Sequence, residues 1–198
     1  MLKIGITGGI GSGKTTICRI FETLGIPVFY ADTVAKQIMV TDEILIEGVK
    51  KAFGIESYSK DGLLNNKHIA GIVFHNAKEL ARLNELVHPA VFRAFDEWVK
   101  EIPQSVPYVL KEAALLFESG SYKMCDQNLL VIAPEEVKIQ RVMQRDGVTA
   151  ELVKARMDKQ MSDEEKIKKA DHIIYNNETD SLIIQVTRLH QLFLNISE

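Results

Sequence analysis

The stretch Gly8-Gly9-Ile10-Gly11-Ser12-Gly13-Lys14-Thr15 constrains this chain more than any other, because it satisfies the pattern G-x-x-x-x-G-K-[ST] at every fixed position. Its neighbours have the right character. The apolar, β-branched run from Leu2 to Thr7 predicts a buried strand, and Lys14 to Leu24 predicts a helix with Ile17, Ile20, Phe21 and Leu24 on one face. Strand, glycine turn and helix in that order let successive backbone N–H groups converge on an anion, where the helix N-terminus adds partial positive charge. Gly9, Ile10, Gly11, Ser12, Gly13, Lys14, Thr15 and Thr16 therefore form a candidate ATP cradle. Lys14 would reach the β- and γ-phosphates, and the Thr15 hydroxyl would supply one ligand to Mg²⁺. A glycine turn with no ligand is the competing reading, and it needs all these residue types to coincide by accident.

A chain of 198 residues with 46% hydrophobic content suits one compact domain with insertions. Its net charge of −3 excludes the broad basic field of a nucleic-acid scaffold, so an anion site must be local and its ligands small. No run approaches the roughly 20 apolar residues of a membrane span. Met1-Leu2-Lys3 leads straight into the first strand instead of a signal-peptide core, so a cytoplasmic protein with no membrane partner is expected. Cys18 and Cys125 lack metal-ligand spacing, and the five histidines show no H-E-x-x-H arrangement, so neither predicts a metal site.

Gly25 follows the first helix as a C′ glycine, and Ile26-Pro27-Val28-Phe29-Tyr30 predicts a second strand. Asp32 falls at its carboxyl end, where open α/β sheets bind ligands, and it is equally a candidate N-cap for a helix over Thr33 to Met39. From Asp42 to Ile102 the apolar spacing is helical, interrupted by a polar loop at Asp61-Gly62 and by His88-Pro89, where Pro89 suits the first turn of a new helix. His88 at that junction is a candidate ligand contact or a structural histidine. Pro103 and Pro107 bracket a connector, after which Tyr108-Val109-Leu110 and then Leu115-Leu116-Phe117 give a third strand and its exit, leaving Glu112 and Glu118 as candidates near the site. Asn128 to Ile132 predicts a fourth strand, and Pro134 opens a helix in which Lys138, Arg141 and Arg145 share one face. That row is either a solvated face or a clamp on polyphosphate. Thr149 to Lys169 reads as charged helix, with Thr149 and Ser162 as N-caps, able to close as a lid. His172 to Tyr175 is a fifth strand ending in Asn176-Asn177, and Asp180 to Leu194 a terminal helix.

Taken together, Thr7 to Lys14, Ala31-Asp32, Leu83-Asn84 with His88-Pro89, Leu115-Leu116-Phe117-Glu118, Gln140-Arg141 with Arg145-Asp146, Gln160, Ala170-Asp171 and Asn176-Asn177 resemble the motif series of the dephospho-coenzyme A kinase family over nearly the whole chain. The resemblance implies an α/β, P-loop NTPase-type three-layer fold: a five-stranded parallel sheet, a helical acceptor-binding insertion and a helical lid. A single kinase domain would have its core in 1–32, 103–135 and 170–198, the insertion at about 33–102 and the lid at about 136–169. It further implies transfer of the γ-phosphoryl group of ATP, with Mg²⁺, to the ribose 3′-hydroxyl of dephospho-coenzyme A. By matching position, Asp32 receives or orients that hydroxyl. Arg141 and Arg145 are the lid arginines near the ATP phosphates, and Asn176 belongs to the ATP side. Lys36, His88, Pro89, Leu116 and Glu118 belong with Asp32 to the acceptor side. A monomer or weak homo-oligomer is expected. Two positions depart from the family pattern: Ala114 stands where Pro is usual before the Leu-Leu pair, and Glu178 where Gly often follows the Asn pair.

Two other functions compete. A P-loop kinase of another small acceptor, a nucleotide or a sugar acid, would share every ATP-side feature and differ at Asp32 and His88-Pro89. A non-catalytic ATP-binding regulatory protein would use the same loop without turnover. A GTPase switch is excluded, because the chain has neither D-x-x-G nor N-K-x-D.

Overall fold

The computed structural model describes residues 1–74 and 76–197, so His75, one of the five histidines, lies outside the described residues. The chain divides into two compact units, Met1–Tyr30 with Ile102–Glu198, and Ala31–Glu101. In the first unit, β1 (Leu2–Thr7), β2 (Val28–Tyr30), β3 (Tyr108–Glu112), β4 (Gln127–Ile132) and β5 (His172–Tyr175) form one parallel sheet in the order β2-β3-β1-β4-β5. β1 sits at its centre, so the loop leaving β1 opens between the two halves of the sheet at its carboxyl edge, the usual ligand position in such folds.

One face of the sheet is apolar at every second position: Ile4 and Ile6, Tyr108 and Leu110, Leu129 and Val131, and Ile174 all join a core with Ile17, Cys18 and Phe21 of α1 (Lys14–Thr23) and with Val186 and Phe193 of α9 (Leu182–Ser197). The period of two on the strands meets the period of 3.6 on the helices. Leu24, expected on the buried face of α1, is 38% exposed, and Cys18 is buried in its stead. Leu24 is the C-cap, and Gly25 beyond it takes φ 82, so the chain has already left the helix there. Both cysteines are free, and burial raises both thiol pKa values, that of Cys125 to about 11, which keeps them protonated and unreactive at neutral pH.

The remaining helices of this unit are α6 (Glu135–Asp146), α7 (Ala150–Met157) and α8 (Asp163–Ile167). The charged stretch predicted over Thr149 to Lys169 thus breaks into two short helices. Thr149 stands at the N-cap of α7 without a side-chain cap bond, whereas Ser162 caps α8 with a full capping box.

The second unit contains α2 (Ala31–Thr41), α3 (Glu43–Phe53), α4 (Asn66–Val73) and α5 (Ala77–Glu101). Asp42 caps α3 by accepting from Leu45 N–H at 2.9 Å and pairs with Arg93 of α5 at 2.7 Å. Two expectations change here. α2 begins at Ala31, so Asp32 lies within its first turn and not at its N-cap. The His88-Pro89 junction does not exist as such: α5 runs unbroken for 25 residues with Pro89 inside it. An interior proline forfeits one backbone hydrogen bond and costs about 3 kcal/mol. The apolar stripe runs on through the proline, with Ala90, Val91 and Phe95 buried beyond it, and that burial outweighs the loss. Among the described residues, no helix is long and apolar enough to cross a membrane.

Candidate active site

The phosphate loop forms as its glycines demand. Gly11 (φ 78) and Gly13 (φ 95) occupy left-handed backbone, and Gly13 is the N-cap of α1 with no side-chain cap. A side chain at Gly13 would overlap the Asn176 amide, and one at Gly11 would strike the Lys138 carbonyl of α6, so both positions are fixed by close approach as well as by φ. Ser12 N–H closes a turn on Gly9 C=O at 3.1 Å, and the first intrahelical donor is Thr16 N–H, to Gly13 C=O at 3.0 Å. The N–H groups of Lys14 and Thr15 precede it in the helix, which makes them donors for an anion. Thr15 and Thr16 are exposed in that first turn. Lys14 curls back over the loop, donating to Gly8 C=O at 2.9 Å and Gly9 C=O at 3.4 Å. Ser12 Oγ is buried and has no hydrogen-bond partner among the described residues.

Asn176, immediately after β5, donates from Nδ2 to Ser12 C=O at 2.8 Å and accepts at Oδ1 from Arg141 Nη2 at 3.3 Å. Arg141 therefore lies against the loop, and its Nη1 is buried without a hydrogen-bond partner among the described residues. Glu178, at φ 68, faces Arg141 at 3.6 Å. Of the row on α6, Lys138 is 7% exposed and bonded to Asp163 at 2.7 Å, beside Gly9. Arg145 does not join the loop. It pairs with its neighbour Asp146 at 2.7 Å and is 63% exposed.

Glu118 accepts at Oε1 from Met161 N–H at 2.9 Å and faces the wholly buried Lys166 ammonium at 3.4 Å, so it fastens the segment between α7 and α8. Leu116 is also wholly buried, and in this arrangement its side chain offers no surface to a ligand, while Leu115 beside it is 40% exposed. Gln160 Oε1 accepts from Ile10 N–H at 2.9 Å, a contact with the phosphate loop that no spacing rule reveals.

Within the second unit, Asp32 and Lys36 are both exposed and one turn apart on the same face of α2. Lys36 borders a largely apolar cavity of about 790 Å³ whose walls include Met39 and Val40 of α2, Leu63, Ile69 of α4, and Leu83, Asn84 and Val87 of α5. His88 stacks on Phe92 with ring centroids 6.4 Å apart, and burial lowers its pKa, favouring the neutral ring.

A five-stranded parallel sheet with this loop at the end of its central strand, and an α6 arginine bonded to the asparagine that holds the loop, defines a P-loop kinase fold. The chain belongs to the dephospho-CoA kinase family, whose model matches residues 2–181. A dephospho-CoA kinase of Salinibacter ruber is 44% identical over 181 residues, covering 90% of each chain. The crystal structure of TT1252 from Thermus thermophilus superimposes with a TM-score of 0.82 at 35% identity, covering 98% of this chain and 97% of that one. The dephospho-CoA kinase from Campylobacter jejuni does so with a TM-score of 0.71 at 28% identity, covering 99% and 98%.

Proposed function

We propose that this chain transfers the γ-phosphoryl group of ATP to the ribose 3′-hydroxyl of dephospho-coenzyme A, releasing ADP and coenzyme A, the last step of coenzyme A synthesis. The observation that carries the ATP half is the loop itself, with Lys14 over its mouth, donors at the start of α1, and Arg141 held against it by Asn176. Phosphoryl transfer has a loose transition state, so the protein's work is alignment and charge neutralisation. The loop amides and Lys14 hold the phosphates, and the buried Nη1 of Arg141, with no hydrogen-bond partner among the described residues, is a donor kept for an anion. Mg²⁺, when bound at the exposed Thr15 hydroxyl, would offset charge on the β- and γ-phosphates.

On the acceptor side, Asp32 orients the 3′-hydroxyl and takes its proton late in transfer. The cavity beside Lys36 has the composition for an uncharged, flexible arm ending at a phosphate: apolar walls, the Asn84 amide and one ammonium at the border. His88 and Pro89 lie on α5, whose Val87 lines that cavity, and serve the acceptor by shaping that helix. Glu118 acts through the segment it fastens. The protein works in the cytoplasm as a monomer or weak homo-oligomer. Initial rates with ATP and Mg²⁺ across dephospho-coenzyme A, nucleoside monophosphates and sugar acids test this reading. Dephospho-coenzyme A is expected to give the highest kcat/KM by at least about 10²-fold; a faster nucleotide or sugar acid would overturn it.

The two arginines are separable. Arg145 reaches the phosphates by exchanging the Asp146 carboxylate for phosphate oxygens, one charge-assisted fork for another. Arg141→Ala is expected to raise KM for ATP, and Arg145→Ala to lower kcat about 10²-fold with the KM for dephospho-coenzyme A little changed. An Arg145→Ala enzyme with normal kcat and a raised acceptor KM would move Arg145 to the acceptor side.

A further inference from the structure

The phosphate loop is held from a direction that its glycine pattern does not encode. Ile10 N–H donates to Gln160 Oε1 at 2.9 Å, across 150 residues of sequence. Gln160 is itself fixed on both sides. Its own N–H closes a turn on Met157 C=O at 2.9 Å, and the next residue, Met161, donates its N–H to Glu118 at 2.9 Å. Ser162 then opens α8 with a reciprocal capping box, and Asp163 bonds the buried Lys138 ammonium at 2.7 Å. Lys138 also touches the loop, since its carbonyl abuts Gly11 closely enough that a Cβ there would come within 2.5 Å. The segment from Gln160 to Asp163 is therefore tied to the turn after β3 by Glu118 and to α6 by Lys138, and it meets the loop through one side-chain amide.

We propose that Gln160 is a positioning residue for the phosphate loop, its amide oxygen fixing the Gly9–Ile10 peptide so that the N–H groups beyond it converge on the ATP phosphates. The proposal rests on the ATP-binding reading above. An amide suits the task because it accepts a hydrogen bond without bringing negative charge to a triphosphate site; a carboxylate there would hold Ile10 equally well and repel the nucleotide. The effect belongs to ATP and not to the acceptor. The bond also couples the loop to the segment between α7 and α8, so any movement of that segment is felt at Ile10.

The test compares Gln160→Ala, Gln160→Glu and the unaltered protein by amide hydrogen exchange at Ile10 in the ligand-free state, by thermal melting, and by steady-state kinetics with ATP and dephospho-coenzyme A. Gln160→Ala is expected to speed exchange at Ile10 and raise KM for ATP about tenfold, with Tm within about 2 °C and KM for dephospho-coenzyme A within about twofold. Gln160→Glu is expected to keep Ile10 protected and still raise KM for ATP by at least as much. Unchanged Ile10 exchange in Gln160→Ala would overturn the proposal, as would an unchanged KM for ATP in either variant, or a loss seen only as a lower Tm. Failure of the unaltered protein to phosphorylate dephospho-coenzyme A would instead overturn the functional reading, leaving Ile10 exchange to judge Gln160 separately.

Discussion

Lys14→Ala is expected to abolish measurable phosphoryl transfer while the protein stays folded. The Lys14 ammonium bonds the carbonyls of Gly8 and Gly9 across the loop's mouth, so it contributes little to the apolar core beneath. When ATP enters, the same ammonium exchanges those neutral carbonyls for phosphate oxygens, and the gain grows as charge shifts during transfer. Losing it is worth about 4–5.5 kcal/mol at the transition state, or about 10³- to 10⁴-fold in rate. Tm should fall by no more than a few degrees, about what one or two part-buried hydrogen bonds supply. Circular dichroism and melting establish folding, and a coupled ADP assay reads the rate. A folded Lys14→Ala protein with near-normal turnover would remove the phosphate-loop assignment altogether.

Asp32→Asn is expected to lose about 10²- to 10⁴-fold in kcat, the range for removing a general base, while ATP binding is retained. Asp32 is exposed in the first turn of α2, the second residue after β2. Because α2 starts at Ala31, Asp32 does not cap it, and its structural worth is the interaction of a carboxylate with the helix dipole, about 0.3–1 kcal/mol. Asparagine keeps the shape and can still hydrogen-bond the acceptor hydroxyl, but it cannot take a proton. Both Asp32→Asn and Asp32→Ala should melt within a few degrees of the unaltered protein and lose activity far out of proportion to that change. Full activity in Asp32→Asn would reduce Asp32 to a helix-end charge and end its catalytic assignment.

How far the sequence carries depends on the range of the interactions involved. The phosphate loop is legible because its geometry is local: Gly11 and Gly13 take left-handed φ, and Lys14 and Thr15 follow by connectivity. The strands are legible because both faces of the sheet are covered and each strand is an apolar run between turn residues. Pro89 misleads for the opposite reason, since its local preference to start a helix is overridden by a burial stripe that spans it. The spacing of Lys138, Arg141 and Arg145 places them on one face of α6 but cannot say which neighbours face them. Asp163 takes the first, Asn176 and the loop the second, and Asp146 the third. Contacts such as Asn176 with Ser12, 164 residues apart, and Gln160 with Ile10 are side chain to backbone, and they exist only once β4 has paired with β1 and β5 with β4. No periodicity records them. Of the two departures, Glu178 has a visible consequence, a non-glycine residue at φ 68 with its carboxylate toward Arg141.

The transfer itself can be observed directly. Incubating the purified protein with ATP, Mg²⁺ and dephospho-coenzyme A, and following product by phosphorus and proton magnetic resonance, reads both stoichiometry and position. The expected result is one coenzyme A per ADP, the new phosphate coupled to the ribose H3′, and negligible ADP without the acceptor. ADP formed without coenzyme A, or phosphate at any other hydroxyl, would contradict it.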